Sequence, residues 1–211
     1  MTTAGNGRTR AGARPFAQAA VGIMVLASAA WATPALAQAS AERPVRGFIG
    51  LGITGGGDKL ATVQWSNGDS TNIKAGGLVD VRAGVDVRLG ESPFSLVASV
   101  GWFTHRASGS NGSVTFERFP LELMGQWRAS DDFRIGGGVR RVGDGKLKGR
   151  GAASNLGTTT FDGKLGFVVE GEWIFARIYG LALRYVGEEY TAPNGVKVDG
   201  SHAGLRFSVY F

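Results

Sequence analysis

Hydrophobic and polar residues alternate along most of the chain, and the segment 200–211 shows this pattern most clearly. Its apolar face consists of Ala203, Leu205, Phe207, Val209 and Phe211. Its polar face consists of Gly204, Arg206, Ser208 and Tyr210. Because successive side chains of a β-strand point to opposite faces, a period of two predicts a strand with one apolar side.

The same alternation recurs in segments that are separated by turn-forming residues. Asn-Gly and Gly/Ser-rich stretches recur about 40 to 45 residues apart, and shorter breaks lie between them. Long and short connections therefore alternate, as in a series of antiparallel hairpins. The eight predicted strands span residues 46–54, 78–89, 94–105, 114–127, 133–142, 161–175, 178–190 and 200–211.

Two of these segments fit the pattern less well. The polar face of the first strand is mostly Gly50 and Gly52, and a bulge or a loop is expected near 55–57. Pro120 lies inside the fourth strand, where its missing N–H removes one ladder hydrogen bond. We keep this strand and expect a local bulge at the proline.

Alternation alone does not distinguish a soluble sandwich from a membrane barrel, but the aromatic residues do. If the strands run alternately up and down, the aromatic residues collect at two heights. Those at the short-turn end are Phe94, Trp127, Phe133, Trp173, Phe175, Tyr179 and Phe211. Those towards the long-loop end are Trp65, Trp102, Phe116, Phe119, Phe161, Tyr185 and Tyr190. Aromatic belts on both sides of an aliphatic band are typical of membrane interfaces. The pattern predicts an all-β fold, an eight-stranded antiparallel up-and-down transmembrane β-barrel.

The amino-terminal segment has the features of a secretory signal peptide. Its basic residues are Arg8, Arg10 and Arg14. An apolar run over residues 19–31 follows them, and no acidic residue occurs before Glu42. A basic region followed by a short apolar run predicts export. The run is short for an uncleaved membrane anchor, which is the alternative.

Small residues after the apolar run form two A-x-A sites. They predict cleavage of the signal peptide after Ala37 or Ala39. We therefore divide the chain into a signal peptide over residues 1–39 and a barrel domain over residues 40–211.

The charge and the cysteine content limit the classes of partner. Removing the three leader arginines and no acidic residue would lower the formal net charge from +6 to +3. The basic excess is therefore partly an export feature, and a nucleic acid is not expected as a partner. The chain has no cysteine, so neither a disulfide nor a lipid-modified amino-terminal cysteine is expected.

The predicted barrel resembles the small eight-stranded outer-membrane β-barrels of the OmpA/OmpX type, a porin-like family. The resemblance rests on the signal peptide, the alternating strands, the connections and the terminal Phe211, and not on a residue signature of one member. It implies a monomer in the outer membrane of a Gram-negative bacterium. It also implies that the barrel-assembly machinery reads the last strand, with Leu205, Phe207, Val209 and Phe211 as the assembly signal.

Charged residues on the predicted inward faces form a candidate lumen network. Eight strands enclose a space that side chains can just fill, and isolated buried charges are costly, so these residues are expected to pair and plug the lumen. A gated path for ions or solutes is the alternative. The network consists of Asp80, Arg82, Asp86, Arg88, Arg118, Glu122, Arg134, Arg140, Lys164, Glu170, Glu172, Arg184, Glu188 and Arg206, and Asp162 lies on the same predicted faces.

The third long connection is basic and is a candidate contact for lipopolysaccharide. Its cations are Arg141, Lys146, Lys148 and Arg150, against the single acid Asp144. Outside the cell these side chains would lie near the phosphates of lipopolysaccharide, which favours electrostatic attachment. A solvated loop without a specific ligand is the alternative.

Catalytic, metal and cofactor sites are not expected. His105 and His202 are the only histidines, and both are predicted to point inward from strands that are not neighbours. No His-x-Ser pair shares one face, which disfavours a lipid A-modifying hydrolase. The segment 50–55 matches G-x-G-x-x-G, but no helix is predicted after it to bind pyrophosphate. A non-enzymatic structural or surface-interaction role is therefore expected first, a narrow channel second and a hydrolase third.

Overall fold

The computed structural model describes residues 43–64, 70–108, 112–151 and 153–211. The strands, in chain order, are β1 Val45–Gly56, β2 Lys59–Gln64, β3 Ser70–Lys74, β4 Val79–Arg88, β5 Phe94–Ser108, β6 Gly112–Arg118, β7 Pro120–Arg128, β8 Phe133–Val142, β9 Gly145–Gly151, β10 Thr158–Gly163, β11 Leu165–Phe175, β12 Tyr179–Gly187, β13 Glu189–Thr191, β14 Lys197–Asp199 and β15 His202–Tyr210. A short 3-10 helix, Ser154–Leu156, follows β9. Within these ranges, no helix is both long enough and apolar enough to cross a membrane.

Eight of the strands form a closed antiparallel barrel in the order β1-β4-β5-β7-β8-β11-β12-β15. The ring closes between the first and last strands, where Phe48 lies opposite Tyr210. The predicted eight-stranded all-β barrel is therefore confirmed. The predicted signal peptide, Trp65 and two of the predicted Asn-Gly turns, at 67–69 and in part at 111–112, lie outside the described residues.

The fourth predicted strand is two strands, β6 and β7, separated at Phe119. Pro120 is the first residue of β7, a position that a residue without an N–H tolerates. Strand β5 pairs with β7 along residues 94–100 and with β6 along residues 103–108. The expected irregularity at the proline is thus an interruption between two ladders.

The sixth and seventh predicted strands are also divided, and the third long connection contains strand structure. The hairpin of β9 and β10 continues the sheet above the barrel, with β6 on one side and β13 and β14 on the other. The β2–β3 hairpin completes this upper layer. Asp58 N donates to Asp199 O at 2.7 Å, and Lys74 N donates to His105 Nδ1 at 3.3 Å. We call the layer of β2, β3, β6, β9, β10, β13, β14 and the upper part of β5 the extension.

The extension encloses an apolar core. Its buried members are Ile73, Ala107, Val114, Phe116, Val142, Leu147, Ala153, Phe161 and Tyr190. The prediction that Phe116, Phe161 and Tyr190 belong to an outer aromatic belt is therefore wrong. Above the barrel the inner face is closed off from lipid, so large side chains bury their apolar surface there, and Tyr190 meets the charged lumen through its hydroxyl.

The outer face of the barrel is apolar. Exposed aliphatic residues include Ile49, Ile53, Val85, Leu96, Val100, Leu121, Leu123, Ile135, Val139, Leu165, Val169, Leu181, Leu183 and Leu205. The short-turn end carries exposed Phe94, Trp127, Phe133, Trp173, Phe175 and Phe211. The long-loop end carries exposed Trp102, Phe119, Phe167 and Tyr185. This continuous band is far larger than the apolar patches of soluble monomers.

Candidate functional site: a charged lumen and a basic outer surface

Inward-facing glycines leave room for long charged side chains in the lumen. A Cβ on Gly101 would lie 3.2 Å from Arg82 Nη2, and a Cβ on Gly50 would lie 3.0 Å from Arg206 Cδ. The weakly marked polar face of the first predicted strand therefore has a role. Gly50 leaves the space that the side chain of Arg206 on the neighbouring β15 occupies.

Glu122 on β7 is the centre of the upper lumen network. Its carboxylate accepts from Arg82 Nη1 at 2.6 Å, Arg140 Nη1 at 2.6 Å and Arg184 Nη2 at 2.7 Å. All four side chains are buried. Three guanidinium groups on different strands thus converge on one carboxylate across the lumen, and they link opposite sides of the barrel.

Further pairs extend this network upwards and sideways. Arg140 Nε donates to Glu188 at 2.7 Å, and Glu188 also accepts from Arg118. Arg206 Nη2 donates to Glu170 at 2.7 Å. Arg184 lies 3.7 Å from Asp80 and 3.8 Å from Glu170. The upper network therefore reaches from the base of the extension to the middle of the barrel.

A second network lies nearer the short-turn end. Asp86 accepts from Arg46 Nη2 at 2.8 Å and from Arg134 Nη1 at 2.6 Å. Arg134 also donates to Glu172 at 2.6 Å, and the hydroxyl of Tyr210 donates to Glu172 at 2.8 Å. The lumen is thus filled by ion pairs at two heights.

The structure brings most of the predicted network residues together, with exceptions. Lys164 is exposed between β10 and β11 and donates to Glu189 at 2.7 Å, so its assignment to the lumen was wrong. Asp162 is also exposed. The interruption of the predicted strand at Lys164 releases both residues from the inward face. Arg88 lies half-buried at the short-turn mouth, and no described carboxylate lies within 4.0 Å of it.

Several lumen residues were not identified from the sequence. Arg46 is the first residue of the predicted first strand, and its alternation with Phe48 and Gly50 would have placed it inside. Gln126 shares the polar face of the fourth predicted strand with Glu122, as alternation predicts, and it donates to Glu170 at 3.4 Å, although it was not counted in the charge network. The hydroxyl of Tyr190 donates to Glu188 at 2.9 Å, although the sequence placed Tyr190 outside. An aromatic side chain with a polar end is ambiguous in a period-two pattern.

The basic residues of the third long connection face outwards. Lys146, Lys148 and Arg150 alternate along β9, and Lys148 Nζ lies 3.6 Å from Glu117 on the neighbouring β6. Arg141 is exposed on β8, one position before the end of that strand. Arg106 on β5, which was not predicted, lines a depression of about 370 Å³ with Lys148 and Arg150. We call Arg106, Arg141, Lys146, Lys148 and Arg150 the basic surface.

The predicted assembly strand is β15, which pairs with β1 and β12. Leu205 and Phe211 are exposed on the outer face, and Phe207 and Val209 are half-buried on it. Phe211 N donates to Gly47 O at 2.9 Å, and Gly47 N donates to Phe211 O at the same distance. The ring of Phe211 lies against Gly47, where a Cβ would be 2.5 Å from it.

Neither histidine lies on the lipid-facing surface. His202 is buried, with Nδ1 at 2.8 Å from Gly200 O and at 3.5 Å from Glu188. His105 Nδ1 accepts from the backbone of Lys74. The described part of the chain contains no group of three or more histidine, aspartate or glutamate side chains that could bind a metal ion.

Two carboxylates of the extension have lowered pKa values. A hydrogen bond from Lys164 lowers the pKa of Glu189, and the charge of Lys197 at 3.6 Å adds to this effect. Hydrogen bonds from Ser201 lower the pKa of Asp199. Glu189 lies on β13 and Asp199 on β14. Both carboxylates accept these hydrogen bonds in their ionised form.

No family model matches the chain, and no curated protein matches its sequence. Three solved structures illustrate the proteins that it is similar to. Ail, the attachment invasion locus protein of Yersinia pestis in complex with the heparin analogue sucrose octasulfate, has 10% identity, a TM-score of 0.47 and coverage of 80% of this chain and 99% of that chain. Neisserial surface protein A has 13% identity, a TM-score of 0.47 and coverage of 80% and 98%. OmpT of Vibrio cholerae, an outer-membrane protein, has 14% identity, a TM-score of 0.30 and coverage of 80% and 52%. At these TM-scores the likeness carries no argument about function, which rests on the residues of this chain.

Proposed function

We propose that this protein is a non-enzymatic outer-membrane barrel with a structural or surface-interaction role and a closed lumen. The observation that carries the proposal is that two layers of side chains fill the interior of the protein. Buried ion pairs occupy the barrel, and the apolar core occupies the extension above it. Neither layer resembles the wide polar channel of a porin.

The proposed location in a bilayer rests on the outer face. Leu183 and Leu165 are 64% and 68% exposed, and aromatic residues flank the aliphatic band at both ends. In water this band would expose much apolar surface, whereas in lipid it is stabilised. A closed barrel also satisfies every backbone hydrogen bond between strands, which hydrocarbon requires. The predicted signal peptide supports export to the outer membrane.

A narrow channel is the main alternative, and planar-bilayer conductance tests it. We expect no reproducible single-channel currents from the purified wild-type barrel. The currents of the wild-type barrel are compared with those of Arg184→Ala. This variant lacks a lumen side chain, which opens space beside Glu122 and Asp80. Large, stable currents from the wild-type protein would contradict the closed-lumen proposal.

The surface-interaction part of the proposal concerns lipopolysaccharide. Four residues of the basic surface, Arg106, Lys146, Lys148 and Arg150, line depressions at the height of the exposed aromatic residues Trp102 and Phe119, and Arg141 lies lower, opposite Leu121. In an outer membrane this height is that of the phosphorylated sugars of lipopolysaccharide, to which clustered cations are attracted. The inward positions of His105 and His202 do not favour a lipid A-modifying hydrolase. A monomer inserted by the barrel-assembly machinery completes the proposal.

A further inference from the structure

A groove of about 480 Å³ crosses the outer face of β4, β5, β7 and β8. Ala83 and Ala98 line it, and larger aliphatic side chains stand around them: Val100, Leu121, Val139 and Leu165. Small residues on an outward face make a depression where their neighbours are large. The depression is open to the outside along its length and does not enclose a cavity.

Arg141 lies at one end of this groove and interrupts the apolar face. It pairs in register with Leu121 on one side and with Leu165 on the other, and both leucines are strongly exposed. No described carboxylate lies within 4.0 Å of its guanidinium group. A cation at the lipid-facing surface is costly unless it reaches the interface or meets an anion.

Two exposed lysines near the β13–β14 hairpin, in contrast to Arg141, lie close to a carboxylate of the protein. Lys164 and Lys197 lie 2.7 Å and 3.6 Å from the same carboxylate, Glu189. Each of these lysines therefore has a carboxylate of the protein within 4.0 Å. Arg141 has none among the described residues, so an external anion is the partner that its surroundings favour.

Further cations continue the surface beyond Arg141. Phe119, Gly143, Lys146 and Lys148 line a second depression of about 470 Å³, together with the acidic residues Glu117 and Asp144. The outer face of these strands thus changes from an aliphatic groove to a guanidinium group and then to two ammonium groups. A ligand that matches this order has an acyl chain, then a phosphate, then a polar headgroup.

We propose that this groove binds one acyl chain of lipid A, with a lipid A phosphate on Arg141 and Lys146. The inference rests on the proposed function, because the long-loop end must face the outer leaflet. The bound part of lipopolysaccharide is then lipid A, and the residues that bind it are those of the groove together with Arg141 and Lys146. One lipid A molecule then occupies this side of the barrel as a specific ligand, whereas the remaining annular lipid exchanges freely.

Native mass spectrometry of the folded barrel in detergent, titrated with purified diphosphorylated lipid A, tests the proposal. We expect one adduct per barrel, and at least tenfold weaker binding for Arg141→Gln and for Ala98→Leu. Ala83→Leu is a second groove variant in case Ala98→Leu folds poorly. Ala203→Leu adds the same side chain to the outer face elsewhere, and Lys197→Gln removes a cation elsewhere, so neither should change binding.

The outcomes separate this inference from the proposed function. Heat-modified gel mobility first establishes that each variant is folded. Equal binding by wild type and both leucine variants, or equal binding of dephosphorylated lipid A, would overturn the groove site and leave the membrane barrel intact. Phosphatidylglycerol that binds as tightly as lipid A would likewise overturn it. A wild-type chain that does not insert into a bilayer at all would instead contradict the proposed function.

Discussion

At the scale of single residues, charge sharing distinguishes this lumen from a set of isolated ion pairs. The upper network contains five arginines, namely Arg82, Arg118, Arg140, Arg184 and Arg206. Its four carboxylates are Asp80, Glu122, Glu170 and Glu188. Because arginines outnumber carboxylates, a single acid neutralises several guanidinium groups, and the loss of that acid affects all of them. Buried charges that lose their partner are strongly destabilising.

Replacement of Glu122 tests this sharing. We expect Glu122→Gln to reduce the free energy of unfolding by about 3 to 5 kcal/mol, because three buried arginines lose their common counter-charge. The measurement is urea unfolding of the barrel in lipid vesicles. Glu117→Gln is the control, since Glu117 is partly exposed and 3.6 Å from Lys148, and it should cost about 1 kcal/mol or less. Equal losses for both variants would refute the shared-charge account.

Glycine on β8 is required by a close approach of strands. A Cβ on Gly138 would collide with the carbonyl group of Leu123 on β7. We expect Gly138→Ala to destabilise the barrel by about 1 to 3 kcal/mol, as overpacking typically does. Gly125→Ala on the neighbouring strand is the matched control, because a Cβ there has no atom within 4 Å. The same urea titration compares them, and an unaffected Gly138→Ala barrel would contradict the predicted collision.

At the scale of elements, the period-two pattern predicted the barrel strands but not their upper ends. Strand positions from Val79 to Arg88 and from Phe94 to Thr104 followed directly from alternation. The alternation of β6 and β10 was equally regular, yet Phe116 and Phe161 lie inside. The pattern gives two faces and does not say which face meets lipid; on β6 the inward face that carries Arg118 continues above the barrel with the apolar residues Val114 and Phe116. A local pattern carries no information on the height at which this change occurs.

The candidate site shows the same limit. The lumen residues were predicted because charges on a strand have only one side to occupy in a barrel. The groove beside Arg141 could not be predicted, since it depends on Ala83, Ala98 and Leu121 from three strands. Such contacts depend on which residues of neighbouring strands lie opposite one another. This register is a property of the closed sheet and not of any single strand.

The β13–β14 hairpin contains a pH-dependent contact. The pKa of Glu189 is lowered in the folded protein, so its contribution to stability is present above the unfolded pKa, about 4.3, and is lost as the pH falls through the folded value. We expect amide exchange in the hairpin to be faster in Glu189→Gln than in wild type at pH 7. The two proteins should converge as the pH falls through the lowered pKa of Glu189 in the folded protein. Comparison at equal pH cancels intrinsic exchange rates, and a difference that persists in acid would contradict this assignment.

At the scale of the whole molecule, polarity is arranged in three regions. The outside of the barrel is apolar, its lumen is charged, and the interior of the extension is apolar again. Phe103 lies at the boundary, with the guanidinium groups of Arg118 and Arg140 at 4.5 Å and 4.7 Å from its ring centroid. The charged layer is thus covered by aromatic surface on the side of the extension.

Removal of Phe211 tests the closure of the whole sheet. We expect this deletion to reduce insertion much more than export, because it removes two backbone hydrogen bonds to Gly47 and an exposed ring at the interface. Cell fractionation and heat-modified gel mobility report location and folding. Phe94→Ser removes a ring from the same end without touching the β1–β15 pairing, and it should insert normally. Full-level, folded truncated protein in the outer membrane would contradict the prediction.

The pairing of β1 with β15 also has a kinetic consequence. Every other barrel ladder joins two barrel strands that are successive along the chain, so those contacts have a shorter sequence separation. The contact between Phe48 and Tyr210 spans nearly the whole described chain. Loop-closure entropy rises only slowly with length, but contacts of high order slow folding markedly. Formation of the β1–β15 ladder is therefore expected to be the rate-limiting step of folding. The other seven ladders can form and break reversibly before this step.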